Sequence, residues 1–202
     1  MPVIEAATSM LALLDTFAES NSNAVLDVLA GQIPKQDEKF PHGELHFAGS
    51  GWRGFYHCHA MPDRDEHEHG HFHLFARCGE GDDRDEDWSH VAGLSMDVEG
   101  QPLVWFTVNQ WVTSGSWLSA KELKHFLDNI TVSGNLSLTE QWLMTMLLLY
   151  SHNLYVLLTE RDRLLIQINA DNDLTDTLAN RNIYMLSYQP IDLKNTLLDV
   201  LE

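Results

Sequence analysis

Two segments of the chain alternate histidine with apolar residues, one position at a time. They read GFYHCHA at residues 54–60 and GHFHLFAR at residues 70–77. Successive side chains of a β-strand point to opposite faces of a sheet, so this alternation predicts two strands that each have a histidine face and an apolar face. We expect the apolar faces to pack on helices. The histidines would then lie on the opposite face, or in a pocket lined by the sheet.

Other segments extend this pair of strands into a larger sheet. Residues 90–98 and 102–111 are rich in β-forming side chains and flank the turn EGQP, which predicts a hairpin. Shorter strands fit near residues 45–47 and, at an edge, near residues 183–188. The fold class that these segments predict is α+β: one antiparallel sheet of about four to five strands packed against N-terminal and C-terminal helices.

Helical patterns flank the predicted sheet on both sides. Apolar residues recur with helical spacing before the sheet and through most of the chain after it. No linker separates these parts, so we predict a single domain over residues 1–202. Within it, residues 1–31 form a helical N-terminus, residues 44–112 form the sheet that carries the histidine cluster, and residues 119–202 are mainly helical.

Capping signatures mark helix starts in the C-terminal half. Ser119 with Glu122, and Ser137 with Glu140, have the spacing of a capping box. The second box precedes the strongest apolar run, residues 142–158, which is shorter than a comfortable membrane span and contains the polar tripeptide SHN. We therefore predict a helix buried inside the protein for this run.

The chain is strongly acidic. Its formal net charge is −18, from 30 acidic and 12 basic residues among 202. Such a surface repels the phosphates of nucleic acids and of anionic membranes, so we expect neither as a partner, and it favours the approach of cations. The N-terminal segment lacks the basic start of a secretory signal, and two cysteines do not make a disulfide framework. We therefore expect a reduced, cytoplasmic protein.

The two histidine strands predict a site for a metal ion. Pairing them as a hairpin with His57 opposite His73 places His59 opposite His71. Directly opposed Cβ atoms are about 5 Å apart, so imidazoles at such corners can converge on one ion at a metal–nitrogen distance of about 2.1 Å. These four histidines are the primary predicted ligands. The ion would be a transition metal, with zinc, iron, copper and nickel not distinguished, because neutral imidazole suits all four.

Residues near the two strands are secondary candidates. His90 opens the third predicted strand and could add a ligand if that strand lies beside the second. Asp63 could supply a carboxylate from the tip of the hairpin, and Glu66 or Glu68 could serve as the base in an enzyme. The secondary metal candidates are His67, His69, His90 and Asp63.

Three functions agree with this pattern. The first is a cytoplasmic metal-binding protein that buffers, senses or delivers the ion. The second is a metal-dependent enzyme with an open coordination position, similar to a non-haem Fe(II) oxygenase or a zinc hydrolase, which would take a small-molecule substrate. The third is a metal-free interaction module whose histidines titrate near pH 6.5. The chain has no P-loop, nucleophile elbow or dinucleotide fingerprint, so binding is favoured, and a homodimer stays an open alternative.

Two long stretches resemble a bacterial family catalogued only as a domain of unknown function. They read FYHCHAMPDRDEHEHGHFHLFAR and LSMDVEGQPLVWFTVNQWVT, and both lie within residues 40–120. The resemblance implies a natural domain but no particular activity.

A shorter pattern is similar to the first motif of the cupins. Asp63 stands where cupins usually have a glutamate. The second cupin motif is not recognisable, and a helical second half departs from a small jelly roll. The residues that follow the spacing of the first motif are Gly51, His57, His59, Asp63 and Gly70.

Overall fold

A six-stranded antiparallel sheet is the centre of the protein, as a computed structural model shows for residues 3–36, 38–59, 67–79, 84–168 and 173–202. Each strand pairs with the next strand along the chain, so the order in the sheet is the order in the sequence. The predicted α+β class is confirmed, with six strands because both short segments, near residues 45–47 and 183–188, pair into the sheet. The strands are β1 (Phe40–Phe47), β2 (Trp52–His57), β3 (Gly70–Arg77), β4 (Trp88–Met96), β5 (Pro102–Val108) and β6 (Met185–Pro190).

Helices precede the sheet and fill most of the chain between β5 and β6. Both predicted capping boxes are confirmed: Ser119 and Ser137 each accept a hydrogen bond from the backbone N–H of the glutamate three residues later. Each box therefore satisfies backbone donors that the first turn of a helix leaves without partners. The helices are α1 (Val3–Glu19), α2 (Ala24–Leu29), α3 (Gln110–Thr113), α4 (Ala120–Asp128), α5 (Leu138–Leu149), α6 (Ser151–Ile168), α7 (Leu174–Ala179) and α8 (Leu193–Leu201).

The strongest apolar run forms parts of two helices, so the prediction of one helix there is wrong. α5 and α6 meet at Tyr150 with a bend of 71°. Nine of the twelve residues of α5 are buried, whereas α6 begins with the polar tripeptide SHN and has one face in water. In the part of the chain that the structure describes, no single helix is long and apolar enough to cross a membrane, although this bent pair together meets the criteria of length and composition.

The main core lies between the helices and the apolar face of the sheet. Phe72 of β3 is fully buried there, with its ring centre 6.3 Å from that of Trp142 on α5. Trp105 of β5 packs in the same way on Tyr150, at 6.2 Å. Cys58 also lies in this core, as its place in the alternation predicts. Burying one such large ring stabilises the fold by about 2 kcal/mol, so this packing decides which face of the sheet the histidines take.

The opposite face of the sheet carries the odd-numbered residues of β2 and β3. There Phe55, Phe75 and Trp88 form a separate apolar cluster. Two cations cover it: Lys39 Nζ lies 4.1 Å from the centre of the Phe55 ring, and the Arg53 guanidinium lies 4.8 Å from that of Trp88. The histidines of this face are therefore placed among aromatic rings, in surroundings that exclude much of the water.

Candidate metal site

The pairing of β2 with β3 brings the histidines of the two strands together. His57 lies opposite His71, and Phe55 lies opposite His73. The predicted pairing of His57 with His73 is therefore wrong by two residues, and so is that of His59 with His71. A shift of two leaves every side chain on the same face, so the alternation that predicts the faces cannot select between the two registers. His59 consequently lies beyond the end of β2.

Three ring nitrogens converge in this register. His57, His71 and His73 each offer one nitrogen, and these atoms all lie within 4.8 Å of one another. Nε2 of His57 and Nε2 of His71 share a hydrogen bond of 2.7 Å. Ligands at about 2.1 Å from an ion lie about 3.0 Å apart at a right angle and about 3.4 Å apart at a tetrahedral angle. The cluster therefore has the composition and spacing to hold a metal ion after ring movements on the order of 1 Å.

Glu68 fixes the orientation of one of these rings. Its Oε1 lies 2.7 Å from His71 Nδ1, and its Oε2 accepts a hydrogen bond of 2.5 Å from the Ser95 hydroxyl. Burial by itself raises the pKa of the Glu68 carboxyl, but the hydrogen bonds from His71 and Ser95 outweigh it and the pKa is lowered. An ionised carboxylate only accepts hydrogen bonds, so Nδ1 of His71 carries the proton. Nε2 of His71 faces His57 and is the nitrogen that this hydrogen bond leaves for a metal ion.

The cluster favours neutral imidazoles. Burial first, and then the neighbouring histidines, lower the pKa of His57 to about 3. Burial lowers the pKa of His73 well below its usual value, and burial with the nearby Arg161 lowers that of His90 to about 3. A neutral imidazole is the form that binds a metal, so protons do not compete for these nitrogens near neutral pH. The same shifts argue against histidines that titrate near pH 6.5 at these three positions.

A β-bulge in β4 brings His90 next to the three-histidine cluster. Leu74 pairs with Ala92, but the next residue of β3, Phe75, pairs with His90, so Val91 is an extra residue in the ladder. This β-bulge moves His90 to the histidine face, where its Nε2 lies 2.9 Å from His73 Nδ1. Strict alternation from Ala92 would place His90 in the main core. His90 therefore contacts His73 but is not one of the three converging ligands.

The model of the family described as "Domain of unknown function (DUF6969)" matches residues 4–191. The chain belongs to this family. The match extends the resemblance seen over residues 40–120 to nearly the whole fold, from α1 to the end of β6. No curated protein matches the chain significantly, and neither does any solved structure.

The DUF6969 domain differs from the cupins in its sheet. Its six strands lie in one sheet in sequential order, whereas a cupin jelly roll has two sheets joined by Greek-key connections. The partial likeness to the first cupin motif is therefore a likeness of spacing, without the cupin fold around it.

Aromatic side chains of the DUF6969 domain enclose the histidines. Phe106 of β5 lies opposite Gly93 of β4, and a Cβ atom at Gly93 would collide with its ring. The absence of that atom lets the Phe106 ring lie at 5.2 Å from the ring of His71 and 5.9 Å from that of His73. On the other side, Phe55 lies 5.3 Å from His73. These rings remove water, so the exposed fractions of His71 and His73 are only 4% and 2%.

The remaining histidines that the sequence suggests as ligands lie outside the group of three converging histidines. His59 lies near the cluster, with ring centres 4.7 Å from His57 and 5.2 Å from His71, although it is not among the three converging ligands. β3 begins only at Gly70, so the alternation does not reach His67, which is exposed, or His69, whose Nδ1 lies 2.6 Å from the Tyr56 hydroxyl.

Of the acidic residues that the sequence suggests as a ligand or a base, the structure describes Glu68. Glu68 contacts the cluster, but both of its oxygens hold hydrogen bonds that orient His71, and it does not stand as a free base. Asp63 and Glu66 lie outside the described residues. Sequence reasoning missed the role of Glu68 in orienting a ligand, and its position three residues before His71 was the available signal.

Proposed function

We propose that this DUF6969 domain binds a transition-metal ion through His57, His71 and His73. The observation that carries the proposal is the hydrogen bond from His71 Nδ1 to Glu68, which leaves Nε2 aimed at His57. Histidines that bind metals commonly donate their second ring N–H to a carboxylate, which sets the tautomer and raises the basicity of the ligating nitrogen. A cluster assembled only by solvated side chains would not need this second contact.

The donor set favours certain ions. Three imidazole nitrogens suit Zn²⁺, Fe²⁺, Cu²⁺ or Ni²⁺ and do not suit Mg²⁺ or Ca²⁺, which prefer oxygen ligands. The protein would supply the three histidines, and a divalent ion would supply Lewis acidity at that point. Because the net charge of the chain is −18, its surface also raises the local concentration of cations.

A metal-dependent enzyme is the second candidate. Its support is the number of converging nitrogens, since three protein ligands with one open position are typical of catalytic zinc sites, whereas structural sites have four protein ligands. Glu68 is engaged in orienting His71 and would not serve as the base, while an ion held by the three histidines would supply Lewis acidity. Binding remains the first proposal because the described residues offer no other acid–base pair at the cluster.

Metal analysis of protein purified without a histidine tag tests the proposal. After metal removal, reconstitution with Zn²⁺, Fe²⁺, Cu²⁺ and Ni²⁺ in separate samples and dialysis, we expect about one ion per chain with at least one of them, and the variant His71→Ala should lose it. The matched control is His67→Ala, which alters an exposed histidine of the same tract. Wild-type protein that retains no Zn²⁺, Fe²⁺, Cu²⁺ or Ni²⁺ would overturn the proposal. Equal loss in both variants would indicate adventitious binding by a histidine-rich segment instead.

A further inference from the structure

A groove lies beside the histidine cluster, on the same face of the sheet, over β5 and β6. Its volume is about 500 Å³, which is in the range of pockets that take small organic molecules. It meets the cluster at Glu68 and Ser95, the two residues whose hydrogen bonds orient His71. The lining residues are His67, Glu68, Ser95, Leu103, Val104, Phe106, Met185, Tyr188 and Pro190.

The walls of the groove are apolar and aromatic. Phe106 and Tyr188 lie opposite each other on β5 and β6, so both rings line the same face. Met185 and Tyr188 are 47% and 68% exposed, so their side chains are accessible to a ligand in the groove. Leu103 and Val104 of β5 also line the groove. These walls fit the apolar body of a small molecule.

The charge of the groove indicates which polar group a bound small molecule would carry. Among the nine described residues that line the groove, Glu68 is the one acid, and none is lysine or arginine. Within the described part of the chain, Oε1 of Glu68 contacts His71 and Oε2 contacts Ser95, and each carboxylate oxygen can accept two hydrogen bonds. A carboxylate beside aromatic rings is the chemistry that recognises organic ammonium ions, since the ring faces attract cations too. An anionic head would meet Glu68 and a strongly negative protein.

We propose that this groove binds a small organic ammonium ion with an apolar body. The ammonium group donates a hydrogen bond to Glu68 and lies near Phe106 and Tyr188, while the apolar body covers Leu103, Val104 and Met185. This proposal goes beyond metal binding and does not depend on it, because every group that contacts the ligand belongs to the chain itself.

Calorimetric titration of chelator-treated protein with octylammonium tests the proposal, with octanol and octanoate as neutral and anionic probes of equal length. We expect octylammonium to bind at least about tenfold more tightly than octanol, and octanoate to bind most weakly. The variant Glu68→Gln should remove the preference for octylammonium over octanol. This variant is decisive because a chain of net charge −18 attracts any cation, and that general attraction survives the substitution.

A second pair of variants tests the aromatic wall. Tyr188→Ser should weaken octylammonium binding by about three- to tenfold, whereas Tyr184→Ser, at an exposed tyrosine outside the groove, should leave it unchanged. These two exposed positions also decide the matter if Glu68→Gln does not fold. The proposal is overturned if octylammonium shows no saturable binding, if octanoate binds more tightly, if Glu68→Gln keeps the preference, or if the two tyrosine variants behave alike. Because metal is absent from this experiment, its failure would leave the metal proposal standing.

Discussion

Lowering the pH from 7.5 to 5 should reduce the free energy of unfolding by about 2 kcal/mol through His90 alone. His90 is 9% exposed, and burial followed by the nearby Arg161 lowers its pKa from 6.5 to about 3. In the unfolded chain the same imidazole takes up a proton once the pH falls below 6.5. Between these two values the unfolded state binds more protons than the folded state, so stability falls as the pH falls.

The magnitude follows from the two pKa values. One pKa unit corresponds to about 1.4 kcal/mol, and at pH 5 the unfolded histidine is 1.5 units below its pKa of about 6.5, while the folded one remains neutral. The product is about 2 kcal/mol at pH 5, and it reaches about 4 kcal/mol at pH 3, where the folded histidine begins to take up its own proton. Above pH 6.5 the imidazole is neutral in both states, and this contribution vanishes.

Urea unfolding at pH 7.5 and pH 5 measures the effect on chelator-treated protein. The change between the two pH values should be about 2 kcal/mol smaller in His90→Gln than in the wild type, whatever the absolute stability of the variant. The matched control is His125→Gln, which removes an exposed histidine of α4. The reasoning is refuted if the His90 variant loses as much stability on acidification as the wild type, or if its difference does not exceed that of the control.

Three further predictions concern the cluster and its support. Glu68→Gln should weaken Zn²⁺ binding by about 10- to 100-fold, because the amide holds the His71 tautomer less firmly than the carboxylate does. Competition with a coloured chelator measures this affinity, and an unchanged value would contradict the role given to the carboxylate. Zn²⁺ at 100 times its dissociation constant should raise the free energy of unfolding of the wild type by about 2.7 kcal/mol and leave that of His71→Ala unchanged. An equal gain in both proteins would show that the ion binds elsewhere. Gly93→Ala should lower the free energy of unfolding measured in urea by about 1–3 kcal/mol, because the ring of Phe106 must move. The control is Gly134→Ala, where a Cβ atom meets nothing within 4 Å and this loss should not occur. Equal effects of the two substitutions would contradict the packing argument.

Much of the fold was predictable because it depends on local patterns. The two capping boxes depend on residues three positions apart, and both are confirmed. The alternation in β2 and β3 predicted that Cys58 and Phe72 face the main core, and they do. The break at Tyr150 was missed because α5 and α6 are both apolar enough to read as one helix, and only their packing on different surroundings separates them.

The sequence by itself determined that His57, His71 and His73 share one face of a sheet, because a strand alternates its side chains with a period of two. Tertiary structure decided which histidines meet. The register places His57 opposite His71, the bulge at Val91 turns His90 towards His73, and neither can be read from alternation. The period of two in a strand determines only which face of the sheet a side chain points to. Which residues pair across two strands depends on how the whole sheet packs against the helices and on the position of any β-bulge.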